Sequence, residues 1–253
     1  MLGLVAAAWL ATAAPATDAA RCPTDPLAPA RTAILPVPVV PGARYGKVSY
    51  PQSVPLADHE IALTFDDGPD DEHTAQVLAI LRRHCLHATF FLVGQEVDAD
   101  PETVRRIAAE GHTLGAHSQT HPDSMADLPL PRATAEIDDS IAALTKALSP
   151  APAADRARQT HFFRFPSVID SPALLAHLKA IGQVSMSVDY GIDDWEDTPA
   201  EQILARAILR TEERGRGVML LHDFNPEMIA ILDRLIVALE HRGYRFVQLE
   251  EQP

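Results

Sequence analysis

Seven apolar runs of strand length punctuate the chain, at residues 61–65, 88–93, 112–116, 161–165, 184–188, 218–221 and 244–249. Amphipathic segments with helix start and stop signals fall between several of them. Pro101 follows Asp100, with Val104, Ile107 and Ala108 on one face and Gly111 closing the segment. Ser171-Pro172 opens a second face of Leu174, Leu175 and Leu178, which ends at Gly182. Thr198-Pro199-Ala200-Glu201 fits a capping box with proline at the first helical position, ahead of Ile203, Leu204 and Ala207. Asn225-Pro226 opens the last helix, with Ile229, Leu232, Leu235 and Leu239 ahead of Gly243. Seven strands alternating with helices predict an α/β fold, either a parallel barrel or a doubly wound sheet. Titratable groups at several strand ends favour the barrel, whose strand ends converge on one mouth.

The same pattern sets the domain plan. Residues 1–20 read as a secretory signal segment: an apolar, small-residue stretch too short to span a bilayer, with Ala14-Pro15-Ala16 as a cleavage site but no basic n-region. Residues 21–58 are proline-rich, as in Leu35-Pro36-Val37-Pro38-Val39-Val40-Pro41, and read as an extended linker or a strap lying on the domain. Residues 59–253 suit one compact catalytic domain. No segment approaches transmembrane length, and the expected location is secreted or periplasmic. Cys22 and Cys85 could then pair, although sequence cannot fix a pairing. A formal charge of −14, from 21 basic against 35 acidic residues, argues against nucleic acid as a partner.

Candidate chemistry sits where the apolar runs stop. The first run ends in Thr64-Phe65-Asp66-Asp67-Gly68-Pro69, and a strand cannot continue through Gly-Pro. Two carboxylates therefore stand at a strand's C-terminal edge, where β/α folds place their ligands. Like charges this close push their protonation equilibria apart, unless one holds a cation and the other moves protons. His117-Ser118-Gln119-Thr120-His121 follows the third run and puts two imidazoles four residues apart, on one side of a helical turn, where both reach one cation. The sixth run stops at His222-Asp223. Each motif alone has a bland reading as a solvated turn or paired surface histidines; three apolar runs that each deliver such groups do not.

These residues resemble the polysaccharide deacetylase family, the carbohydrate esterases (family 4) related to the NodB chitooligosaccharide deacetylases. Thr64–Pro69 matches the family's T-F-D-D-G-P and His117–His121 its H-[ST]-x-x-H. Ala88-Thr89-Phe90-Phe91-Leu92-Val93-Gly94 is similar to its second strand, and Leu220-Leu221-His222-Asp223 to its last catalytic motif. The resemblance implies a distorted (β/α)7 barrel and a metal site of Asp67, His117 and His121, holding Zn²⁺ or another divalent ion such as Co²⁺. It implies Asp66 as general base and His222 as general acid, with Arg164 orienting the base and Asp194 tuning the acid. Trp195 and Leu220 would shape an acetyl pocket, and the backbone N–H of Ser167 would serve the oxyanion. The implied partner is an acetylated polysaccharide or oligosaccharide, and the implied reaction is hydrolysis of N-acetyl groups on a GlcNAc-containing glycan such as chitin or peptidoglycan. O-acetyl ester cleavage with the same machinery, and a non-catalytic glycan-binding module, are the rival readings.

Two departures qualify the match. The family's R-x-P-Y-G reads Arg164-Phe165-Pro166-Ser167-Val168 here, and its D-x-x-D-W has Gly191 in the first Asp position, with Asp189 two residues earlier. The remaining histidines read as structural or solvated, and the acidic stretch 193–197 as a solvated loop apart from Asp194 and Trp195.

Overall fold

The computed structural model describes residues 32–252. The proline-rich stretch enters the sheet directly. Strands β1 (Ala33–Pro38) and β2 (Arg44–Tyr45) come first, and the first apolar run forms β3 (Glu60–Asp66). The chain continues through α1 (His73–His84), β4 (Thr89–Leu92), α2 (Gly94–Ala99), α3 (Pro101–Ala109) and β5 (Thr113–Ala116). Next come α4 (Leu130–Leu148), α5 (Ala153–Arg156), β6 (Gln159–Phe163), α6 (Pro172–Ala180), β7 (Val184–Met186) and β8 (Tyr190–Gly191). Helix α7 (Ala200–Arg214), β9 (Gly217–His222), α8 (Pro226–His241) and β10 (Arg245–Gln252) complete it. All seven apolar runs form strands.

Every strand pairing is parallel. The ring runs β9–β3–β4–β5–β6–β7, and β8, just beyond β7 in the chain, returns to pair with β9. Strand β10 is wedged beside the start of β3 over two residue pairs, Arg245 with Glu60 and Phe246 with Ile61, and carries β1 on its other edge. The result is the distorted β/α barrel that the resemblance implies. Residues 61–66 of β3 are buried throughout, as a strand covered on both faces requires. Alternation sends Ala62 inward, with Phe91, Phe162, Val184, Met186 and Val218, while Ile61, Leu63 and Phe65 pack outward against the helices.

Local signals position the helices. Asp100, Ser171 and Asn225 cap α3, α6 and α8, accepting from the N–H groups of Thr103, Leu174 and Glu227. The expected capping box at Thr198 does not form. Pro199 occupies the cap position of α7, and the N–H of Ala200 donates to the Glu227 carboxylate on α8 at 3.0 Å instead. Helices α1 and α4 are not among those the caps predict; neither N-cap residue lends its side chain, and Asp70 Oδ1 instead accepts the N–H groups of Glu72 and His73 at the start of α1. No helix among the described residues is long and apolar enough to cross a membrane. Cys85 is disulfide-bonded, and Cys22, the chain's other cysteine, lies outside the described residues with the expected signal segment.

Candidate active site and metal centre

Strand geometry delivers the two carboxylates to one point. Asp66 is the last residue of β3 and shares its inner face with Ala62 and Thr64. Asp67 adopts φ 76°, a left-handed kink that breaks the strand's alternation and lets the second carboxylate reach the same mouth. His117 Nε2 lies 3.3 Å from Asp67 Oδ1 and 3.7 Å from Asp66 Oδ2, and His121 Nε2 lies 3.2 Å from Asp67 Oδ1. Ligand atoms of Asp67, His117 and His121 all fall within 4.8 Å of one another.

The two histidines do not ride a helical turn, contrary to the spacing argument. They sit on a loop after β5, folded back by left-handed residues at Ser118 (φ 64°) and His121 (φ 50°). A polar brace replaces the helix. Buried Glu136 on α4 accepts the backbone N–H groups of Gln119 (3.0 Å) and Thr120 (2.7 Å) and the Thr120 hydroxyl (2.9 Å). Ser118 Oγ accepts the His121 N–H at 3.1 Å.

This donor set suits a divalent ion. Asp67 Oδ1 is buried with no hydrogen-bond partner, although two imidazole nitrogens face it. His117 Nδ1 lies 2.8 Å from the Arg164 carbonyl, which can only accept, so the Nδ1 proton is fixed and the Nε2 lone pair points to the centre. One carboxylate and two imidazoles are a zinc-type set with room for a further ligand. Burial opposes charge on Asp67, yet the close His117 imidazole and the fields of the three histidines hold its carboxyl down at about 2. Burial likewise lowers His121, with repulsion from His117 adding to it. His117 is also desolvated, but Asp66 and Asp67 raise it above the ordinary imidazole value.

Asp66 is held from the other side. Arg164, fully buried, donates to Asp66 Oδ1 at 2.6 Å and to the Thr64 hydroxyl at 2.9 Å. Its Nε donates to the Met186 carbonyl, its Nη2 to that of Ser187, and its plane lies over the Phe91 ring at 3.9 Å. Across the mouth, Asp194 Oδ1 is 2.9 Å from His222 Nδ1, while its Oδ2 accepts the His222 N–H at 2.8 Å. Desolvation would lower His222, but the bond to Asp194 and the nearby carboxylates push it up to about 9.

Trp195 and Leu220 stand on the His222 side of this centre, and Ser167 lies on the turn that follows Arg164. Trp195, half exposed, stands edge-on to the His222 ring at 5.6 Å. Leu220 pairs with Gly191, and a Cβ on Gly191 would meet the Trp195 ring at 3.3 Å, so this departure from the family pattern makes room for the indole. Asp189 does not substitute for the absent carboxylate. It is buried away from the mouth, accepting the N–H groups of Lys47 and Val218 and the Ser53 hydroxyl. Ser167 lies exposed on the turn after β6 at φ 53°. The stretch 193–197 is more than a solvated loop, because Asp193 is clamped by Arg210 through two contacts of 2.7 and 2.6 Å.

Sequence reasoning missed several participants. Glu136 could be found only through α4, and the Phe224 ring, 5.4 Å from His222, carried no motif. Asp223 was noted without a role. It is buried beside Gly68, receives the Thr74 hydroxyl at 2.5 Å, and is raised by burial to about 7.

Comparison with known proteins decides what this geometry belongs to. The polysaccharide deacetylase family model matches residues 53–182, which include both carboxylates, both loop histidines and Arg164. The chain belongs to the polysaccharide deacetylase family. A chitooligosaccharide deacetylase of Bradyrhizobium is 31% identical over 221 residues, covering 82% of this chain and 93% of that protein. The peptidoglycan-N-acetylglucosamine deacetylase PgdA of Listeria monocytogenes is also 31% identical, over 85% of this chain, which spans only 41% of that longer relative. A peptidoglycan deacetylase structure from Bdellovibrio bacteriovorus superposes with a TM-score of 0.77 at 28% identity, covering 96% of this chain and 63% of that one. Asp194, Trp195, Leu220 and His222 lie beyond the matched residues, so their placement in a polysaccharide deacetylase site rests on the geometry above.

Proposed function

We infer that this polysaccharide deacetylase is an exported, metal-dependent hydrolase that removes N-acetyl groups from a GlcNAc-containing glycan, a chitooligosaccharide or peptidoglycan, and releases acetate. The observation that carries the reading is the unpartnered, buried Asp67 Oδ1 between two imidazole nitrogens, with Asp66 beside it held by Arg164. Asp67, His117 and His121 would hold Zn²⁺, or a related ion such as Co²⁺. A divalent ion in that position polarises the acetyl carbonyl and acidifies water.

The chain's own groups do the rest. Asp66, oriented by Arg164, takes the proton of the attacking water. The backbone N–H of Ser167 donates to the oxyanion that forms at the former carbonyl. His222 gives its proton to the glucosamine nitrogen as the C–N bond breaks, and Asp194 keeps it charged for that task. A His222 imidazole raised by Asp194 suits an amide substrate, because an amine leaving group requires the proton that an ester alkoxide needs less. Trp195, Leu220 and Phe224 would line the space for the acetyl methyl and the sugar.

The names of the Listeria and Bradyrhizobium relatives support an N-acetyl glycan substrate. The disulfide at Cys85 and the apolar N-terminal segment support export to an oxidising compartment. The test is acetate release from chitooligosaccharides, peptidoglycan and acetyl-xylan. Chelation is expected to abolish it and zinc or cobalt to restore it. Release that survives exhaustive chelation would remove the metal from the reading.

A further inference from the structure

Two consecutive left-handed residues, Ser167 (φ 53°) and Val168 (φ 52°), form the turn just after Arg164. Neither is glycine, and a β-branched valine is among the side chains least suited to that region. The turn's own bonds, Val168 N–H to the Phe165 carbonyl and Ile169 N–H to the Pro166 carbonyl, are reinforced from outside the turn. The partners come from the segment before β3. Ser49 Oγ donates to the Val168 carbonyl at 3.0 Å and lies 2.8 Å from Ser187 Oγ. The Ser187 carbonyl in turn accepts from Arg164. The adjacent Tyr50, buried, donates its hydroxyl to Asp170 Oδ2 at 2.6 Å and lies 2.7 Å from Ser185 Oγ. One dipeptide thus holds the C-terminal side of the turn, at the Val168 carbonyl and the Asp170 carboxylate, and reaches Arg164 only through Ser187. Its own backbone is fixed in place because buried Asp189 accepts from Lys47 N–H and Ser53 Oγ on either side. Ser49 and Tyr50 both precede the residues that match the family model.

We propose that Ser49 and Tyr50 are positioning residues for catalysis: they clamp the Ser167–Val168 turn so that the Ser167 N–H is presented to the reacting carbonyl. This rests on the deacetylase reading, in which Ser167 supplies that donor. A loosened donor costs turnover more than substrate binding, because its hydrogen bond strengthens as charge develops.

The test uses the full-length zinc-loaded protein and the variants Ser49→Ala, Tyr50→Phe and Val168→Gly. Ser49→Ala and Tyr50→Phe are each expected to lower kcat by about tenfold, short of the ~100-fold loss from deleting an oxyanion donor. KM should stay within about twofold, since ground-state binding is untouched. Val168→Gly lets the turn hold itself, so Ser49→Ala should cost less than about twofold in that background. Hydrogen exchange across residues 165–170 should accelerate in Ser49→Ala and return toward normal in the double variant. A fall in Tm with kcat and local exchange unchanged would overturn the proposal and leave the contacts structural. Should the unaltered protein release no acetate, the deacetylase reading fails and takes the catalytic role with it; the exchange data then decide whether the clamp on the turn stands.

Discussion

Asp194 grips His222 at two places, one carboxylate oxygen on ring Nδ1 at 2.9 Å and the other on the backbone N–H at 2.8 Å. This double hold fixes the ring against rotation and stabilises the imidazolium. The Asp194 carbonyl is itself tied down by the Asn225 side chain, so the pair is set by the cap of α8. Asp194→Asn keeps the shape and removes the charge. The alkaline limb of kcat/KM, near 9 if His222 must be protonated, is expected to fall by about one to two pH units. A limb that stays in place would assign the acid elsewhere.

The same shift carries a stability sign. His222 binds its proton more tightly folded than unfolded, so its contribution is fully present below the unfolded imidazole value near ~6.5. That contribution is lost as pH rises through about 9. Thermal melts of the metal-free protein between these limits should show Tm falling with pH, and the slope should flatten in Asp194→Asn.

Asp66 and Asp67 are neighbours with opposed assignments, and paired substitutions separate them. Asp66→Asn is expected to retain bound zinc while kcat drops ~10²–10⁴-fold, the range for a lost general base. Asp67→Asn should instead lose the metal, because Oδ1 is the atom facing both imidazoles. Metal content of the purified variants, read alongside acetate release, distinguishes the roles. Equal metal loss in both would mean that the carboxylates act as one unit.

How much of this was written in the chain follows from physical range. The seven strands were legible because each is a short, buried apolar run, and the convergence of Asp66, Asp67, His117 and His222 because strands in a parallel barrel end at one mouth. The loop form of His117–His121 was not legible. A four-residue spacing fits a helical turn as well as a folded loop, and the choice is made by Glu136, fifteen residues beyond His121 in the chain. Asp189 illustrates the converse: it stands two residues before Gly191 in the chain, yet long-range partners at Lys47 and Ser53 claim it. Strand β1, hidden in a proline-rich stretch, is drawn into the sheet by pairing with the far C-terminal β10.

Arg164 makes a stability prediction independent of activity. Its guanidinium is fully buried and satisfies the Asp66 carboxylate, the Thr64 hydroxyl and the Met186 and Ser187 carbonyls while lying over Phe91. A lysine ammonium is a single point with three donors and cannot reproduce that fork. Arg164→Met leaves a buried carboxylate without its counter-charge, and removing one partner of such a pair costs about 3–5 kcal/mol. Denaturant melts should place Arg164→Met near that loss, with Arg164→Lys between it and the unaltered protein. Metal binding should raise the Tm of Arg164→Met in part, because a cation beside Asp66 supplies some of the missing charge.

Glu136 offers the sharpest separation of loop geometry from ligand chemistry. Its carboxylate touches neither histidine side chain, yet it gathers the N–H groups of Gln119 and Thr120 and the Thr120 hydroxyl, all between the two imidazoles. With the loop pinned there, His121 returns to face Asp67 without a helix to set its spacing. Glu136→Gln replaces an acceptor-only carboxylate by an amide with one acceptor oxygen, so part of that grip is lost while volume is preserved. Outer partners of this kind are worth about 10–100-fold in metal affinity. Zinc affinity, measured by competition with a chelator of known strength, should weaken by that factor, and exchange of the Gln119 and Thr120 amides should accelerate. Glu136→Ala should weaken it further. Unchanged affinity in both variants would show that the left-handed backbone at Ser118 and His121 holds the loop unaided.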